Sequence, residues 1–206
     1  METEAPCDAL EIFARAELPT QFGNFCIVAF RHGDRQLDDV ALIRGDVAGK
    51  KCVPTRVHSE CLTGDVFHSL RCDCRQQLEE AQRHFSQLPE AIILYMRQEG
   101  RGIGIANKVA AYHLQEEGLD TVDANVHLGF DDDLRSYDVA AAMLRALGVQ
   151  SINLFTNNPR KIEGLKSCGI DVAEREPIII EPNRYNTRYL KTKQEKSGHL
   201  LNFKEN

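Results

Sequence analysis

Three cysteines fall close together in the chain: Cys61, Cys72 and Cys74, with ten residues between the first two and one between the last pair. Thiolates are strong zinc ligands, and a Cys-x-Cys pair in an extended segment turns both sulfurs to the same face. Three ligands with no evident fourth leave a coordination position open to water, whose pKa a zinc ion lowers to about 7, giving a nucleophile at neutral pH. The same residues are also readable as small buried apolar side chains, or as a structural site closed by His58 or His68. The remaining cysteines, Cys7, Cys26, Cys52 and Cys168, stand apart from the cluster. An odd total of seven in a chain of 206 residues argues against a disulfide framework.

A second constellation is Arg97-Gln98-Glu99-Gly100-Arg101-Gly102-Ile103-Gly104, placed between a strand-like run and a helix. Glycines let backbone approach a phosphate, and a helix N-terminus offers it unpaired amides. The run is neither a dinucleotide fingerprint, since Ile105 stands where its last glycine belongs, nor a Walker sequence. Thr156-Asn157-Asn158-Pro159-Arg160-Lys161 is a second candidate for an anion, and Arg56 a third. Each alone is equally an ordinary turn or cap; together they favour a polyphosphate. Asp131-Asp132-Asp133 with Arg135 reads as a solvated loop unless a reaction centre lies beside it. His58-Ser59-Glu60 is similar to the His-x-Glu of zinc nucleobase deaminases, but the Pro-Cys-x-x-Cys half of that signature is missing.

Positioning such residues requires a core, and 42% hydrophobic residues supply enough for one compact unit, read here as a single domain over 1–206. The first third reads as a small antiparallel sheet or barrel with strands Phe25–Phe30, Val40–Arg44 and Val53–His58. Strands and helices then alternate, which makes the fold class α+β, a β-rich start followed by α/β layers. Leu78, Ala81, Phe85 and Leu88 recur at helical spacing before the strand Ala91–Met96, and a helix follows from about Ile105 to near Gly118. Ser136 is the expected N-cap of a helix carrying Val139, Met143 and Leu147 and closed by Gly148; the strand Ser151–Thr156 comes next. Asn158 caps a helix with Pro159 at its first position that stops at Gly169, ahead of an expected strand Ile178–Ile180 and a helical tail from Thr187. With 25 Lys plus Arg against 31 Asp plus Glu, the net charge of −6 excludes general binding to nucleic acid or anionic lipid. The longest apolar runs are strand-sized, and no basic start precedes a long apolar stretch, so a cytoplasmic protein is expected.

The ordered set Arg56-Val57-His58-Ser59-Glu60-Cys61-Leu62-Thr63-Gly64-Asp65, Leu70-Arg71-Cys72-Asp73-Cys74 and Arg97-Gln98-Glu99-Gly100-Arg101 strongly resembles GTP cyclohydrolase II. The resemblance continues through Asp120-Thr121-Val122, Ala124-Asn125, Leu128-Gly129-Phe130, Thr156-Asn157-Asn158-Pro159, Lys193-Gln194-Glu195-Lys196 and Gly198-His199-Leu200. It implies hydrolysis of GTP to formate, pyrophosphate and 2,5-diamino-6-(5-phosphoribosylamino)pyrimidin-4(3H)-one, the first step of riboflavin biosynthesis. It also implies one zinc per chain on Cys61, Cys72 and Cys74, Mg²⁺ with the triphosphate, and a homodimer. Nucleotide contacts are implied at Arg56, Val57, His58, Ser59, Glu60, Gln77, Glu99, Gly100, Arg101, Thr121, Thr156 and Lys161. Asp133 is implied as proton acceptor, Arg135 as nucleophile and Tyr112 in the later ring-opening step. Because arginine stays protonated, charge stabilisation is the easier task for Arg135. Glu99 is the expected reader of guanine's N1 and N2 donors. Arg75 and Gly102 depart from the family's Gly and Asn. Two other readings are a homologue that stops at a formamidopyrimidine and a non-catalytic zinc-containing nucleotide-binding module. Retention of Tyr112 argues against the first of these.

Overall fold

The computed structural model describes residues 10–131, 133–198 and 200, without the side chains of Thr121, Val122, Arg188, Lys196 and Ser197. One seven-stranded sheet runs through it. Its strands are β1 (Glu11–Thr20), β2 (Gly23–His32), β3 (Arg35–Arg44), β4 (Val53–Ser59), β5 (Ala91–Met96), β6 (Ile152–Phe155) and β7 (Val172–Glu176). The order across the sheet is β1-β2-β3-β5-β4-β6-β7. Neighbours from β1 to β5 pair antiparallel, whereas β5–β4, β4–β6 and β6–β7 are parallel. The expected small antiparallel sheet or barrel is therefore an open antiparallel half of the common sheet, joined to the parallel half where β3 meets β5, and the expected strand Val53–His58 lies instead in the parallel half as β4.

The period of two in β5 shows how the sheet is covered. Ile92, Leu94 and Met96 face a core shared with Val28, Phe30, Val57 and the helix Asp138–Ala146, while Ala91 and Ile93 face a second core with Phe85, the last residue of the helix Cys74–Phe85. The helices are α1 (Cys74–Phe85), α2 (Gly104–Glu116), α3 (Thr121–His127), α4 (Asp138–Ala146), α5 (Pro159–Ser167) and α6 (Thr187–Ser197). In α4 the run Ala140-Ala141-Ala142-Met143-Leu144 is buried, small side chains letting the helix lie against both sheet and α5. Gly148, at φ +73°, ends it: the amides of Gly148 and Val149 bond the carbonyls of Arg145 and Leu144.

Several sequence expectations are corrected. Ile178–Ile180 is not a strand; the last strand is β7. The reason is local, because the Asn157 side-chain amide bonds both the N–H and the C=O of Ile178, satisfying that backbone without a ladder while the Ile178 side chain enters the core. Strand β1 escapes the reading because only Ile12, Leu18 and Thr20 of its ten residues are partly buried and its register shifts between Ile12 and Ala14, so no apolar alternation marks it. Helix α3 was likewise not expected. Ser136 sits one residue early: α4 is preceded by Tyr137, although Ser136 Oγ still accepts from the Asp138 amide at 3.2 Å.

Candidate active site

The parallel strands decide where a site forms. β4 and β6 are neighbours whose onward connections lead to opposite sides of the sheet, and open α/β sheets bind ligands in the crevice beyond the carboxyl ends of such strands. A cavity lies there, lined by Arg56, His58, Ser59 and Glu60 from β4 and its end, Glu99, Gly100 and Arg101 after β5, and Thr156, Asn158 and Lys161 after β6. Cys61, Cys72, Cys74, Gln77, Tyr112 and Arg135 line it as well, with Asp73, Lys108 and Lys193 among the other wall residues.

The three sulfurs lie within 4.8 Å of one another, with Cys61 and Cys72 buried and Cys74 partly so. A short π-helical turn, Leu62–Val66, carries the chain over them. Gly64 makes that passage possible: a Cβ there would stand 2.8 Å from Cys72 Sγ and 3.1 Å from Cys61 Sγ. Asp65 fixes the turn, accepting from the Cys61 amide at 3.0 Å, His58 Nε2 at 3.1 Å and Tyr95 OH at 2.9 Å. Hydrogen bonds from Cys72 and Cys74 hold the Cys61 thiol far below its ordinary pKa, and the same hydrogen bonds, with burial, push Cys72 and Cys74 up. A cluster in which one sulfur ionises readily while the other two are held as thiols suits a divalent cation, which would stabilise all three as thiolates. The donor set and the close passage of Gly64 thus fit zinc.

Around this cluster the cavity is cationic. Arg56 is buried, yet its hydrogen bonds go to neutral oxygens, Gln77 Oε1 at 2.6 Å and the Phe155 carbonyl at 3.2 Å, and burial lowers its pKa to about 10. Lys161, equally buried, donates to the Val57 carbonyl at 2.6 Å. Burial, with Arg135, Arg56 and Lys193 nearby, drives its pKa well below the ordinary lysine value. Arg135 forks onto Asp133, Nε to Oδ1 at 2.7 Å and Nη2 to Oδ2 at 2.5 Å. Burial opposes the charge on Arg135, but the Asp133 bond outweighs it and the guanidinium stays protonated. Burial alone would raise Asp133; the Arg135 hydrogen bond instead holds it below the ordinary carboxylate value. Arg101 sits at φ +62°, uncommon outside glycine, and its carbonyl accepts from the Leu134 amide.

Of the expected nucleotide-contact and catalytic residues, Val57 and Asp133 do not present side chains to the cavity. Val57 points into the core and contributes its carbonyl, and Asp133 acts through Arg135. The Thr121 side chain and His199 lie outside the described residues. Tyr112 OH meets Thr63 Oγ1 at 3.1 Å, so α2 touches the cysteine turn directly. Glu99 is more occupied than a guanine reader needs to be: Oε1 accepts from Lys108 Nζ and the Gly100 amide, both at 2.7 Å, and Oε2 from the Leu62 amide at 2.6 Å. Arg75 pairs with Glu79 and does not line the cavity, while Gly102, at φ +93°, allows the Leu134 backbone within 3.2 Å of where a Cβ would be. Sequence reasoning missed Asp73, Lys108 and Lys193. Asp73 accepts from Lys193 Nζ at 3.2 Å and Gln77 Nε2 at 2.5 Å, tying α6 to the cysteine pair. Its place as the middle residue of Cys-Asp-Cys was the available signal.

Residues 11–177 match the family model described as GTP cyclohydrolase II. The chain is 50% identical over 192 residues to "GTP cyclohydrolase-2" of Histophilus somni, covering 93% of this chain and 89% of that protein. It is 48% identical over 192 residues to "GTP cyclohydrolase-2" of Picrophilus torridus, covering 93% of this chain and all of that one. It is also 52% identical over 185 residues to "Riboflavin biosynthesis protein RibBA" of Endomicrobium trichonymphae, of whose length the chain spans 46%. A match over most of this chain, and over nearly the full length of two relatives, places it among enzymes: the chain belongs to the GTP cyclohydrolase II family.

Proposed function

We propose that the protein hydrolyses GTP with zinc, releasing formate and pyrophosphate and leaving the diaminopyrimidinone ribosyl phosphate that enters riboflavin biosynthesis. The observation that carries this reading is the placement of three clustered sulfurs in one cavity with two buried cations, Arg56 and Lys161, that hydrogen-bond only neutral oxygens. Such cations call for a polyanion beside the sulfur cluster.

Zinc held by Cys61, Cys72 and Cys74 would supply Lewis acidity and an activated water for opening the imidazole ring. Tyr112, anchored through Thr63 to the cysteine turn, orients the water that cleaves the formamide. Arg56, Arg101 and Lys161 hold the phosphates, which Mg²⁺ accompanies. Arg135, kept charged by Asp133, stabilises the negative charge that develops at the α-phosphorus when pyrophosphate leaves. Glu99 keeps one acceptor position, on Oε2, for a guanine N–H, and His58, Ser59, Glu60, Gln77, Gly100, Thr121 and Thr156 form the rest of the nucleotide pocket. We further propose a cytoplasmic homodimer; no helix among the described residues is long and apolar enough to cross a membrane, and Val66, Phe67, Leu70 and Val109 are exposed apolar side chains suited to subunit contact.

The test is to incubate the purified protein with GTP, Zn²⁺ and Mg²⁺ and to follow formate and pyrophosphate together. Equal release of both, abolished by a zinc chelator and restored by zinc, is expected. Pyrophosphate without formate, or formate release that survives chelation, would overturn the reading. Sedimentation velocity tests the dimer.

A further inference from the structure

Lys108 has no part in the roles described above, yet it occupies the junction between them. It lies on α2, four residues before Tyr112, with its side chain 14% exposed. Its ammonium stands 2.7 Å from Glu99 Oε1 and 3.1 Å from Cys61 Sγ, and 5.9 Å from the centre of the Tyr112 ring. Glu99 is itself clamped, because the Gly100 amide shares Oε1 and the Leu62 amide, next in sequence to Cys61, occupies Oε2. The carboxylate therefore fixes the ammonium and the start of the cysteine turn as one unit.

The chemistry of that contact is specific. Three thiolates on a divalent zinc leave the centre with one net negative charge, and electron donation from sulfur weakens the metal as a Lewis acid. A charge-assisted N–H···S bond withdraws density from the sulfur and opposes that weakening. We propose that Lys108 is a positioning residue of the metal centre: its hydrogen bond to Cys61 Sγ limits how strongly that thiolate donates to zinc, and Glu99 is the strut that holds the ammonium in place.

This inference rests on the zinc reading, and cobalt substitution separates the two. Co²⁺ added to the metal-free wild-type enzyme should give a thiolate-to-cobalt charge-transfer band, and absence of that band overturns the zinc reading itself. With the band present, K108M removes the donor without altering the ligands. The expected result is a shift of the band to lower energy, together with a fall in kcat of about tenfold or more and a KM for GTP changed by less than about threefold. K108R, which keeps a charged donor, should restore both the band position and most of kcat. K108L provides a second variant without a donor should K108M not fold. A band at the wild-type energy in the folded neutral variant overturns the role of Lys108 while leaving the metal site intact.

Discussion

Lys161 is buried among cations, with its ammonium on a backbone carbonyl, so its charge is unfavourable until an anion arrives. A bound triphosphate raises its depressed pKa back toward the ordinary 10.5. Between the two values binding takes up a proton, so affinity should fall as pH rises through that window. Calorimetry with a non-hydrolysable GTP analogue, in buffers of different ionisation enthalpy, should show this uptake in the wild type and its loss in K161M. The sulfur cluster is tested separately: C72S leaves two thiolates, and metal content measured after dialysis should fall together with formate release by at least about tenfold. Arg135 offers a third test. Lysine cannot reproduce its fork on Asp133, so R135K should lower kcat by about 10²-fold through loss of aligned charge, in steady-state assays of pyrophosphate release.

Helix α5 carries Lys161 and passes against the segment that carries Arg135. The two meet at Gly164, where a Cβ would stand 2.2 Å from Cδ2 of the buried Tyr137 ring. G164A must therefore push helix and ring apart, and overpacking of this kind costs about 1–3 kcal/mol. Thermal or denaturant unfolding should register that loss, with activity falling as the cations from α5 and from residue 135 separate. The periodic helices α1, α4 and α5 were legible in the chain because apolar spacing, capping Asn158 and closing Gly148 all act locally. Ile178–Ile180 misled for the opposite reason. Its β-branched run has strand propensity, but Asn157, 21 residues earlier, supplies its hydrogen bonds.

Across the whole molecule, a net charge of −6 surrounds a cavity in which Arg56, Arg71, Arg101, Lys108, Arg135, Lys161 and Lys193 outnumber the carboxylates Glu60, Asp73 and Glu99. Cations concentrated in a concave, low-dielectric site attract a polyanion that the rest of the surface repels, and added salt screens that attraction. Raising NaCl from low concentration to about 0.5 M, several times the ionic strength at which the screening length is already near 10 Å, should raise KM for GTP while leaving kcat nearly unchanged. A salt-insensitive KM would count against the phosphate role of this wall.

The chain by itself determined the ligand types and their local order: three clustered cysteines, a glycine-rich turn after a strand, and an Asn-Pro helix start before Lys161. Those signals are short-range, set by spacing and backbone chemistry within a few residues. The tertiary structure alone decided which of them meet. Sheet order brings the ends of β4, β5 and β6 side by side, so residues 56, 99 and 161 share a cavity despite their distance along the chain. It also placed Lys108 on Cys61, Lys193 on Asp73 and both Glu99 oxygens on protein donors, contacts that no spacing rule encodes. Long-range pairing depends on how the two faces of the sheet bury their apolar area, and that is a property of the folded whole.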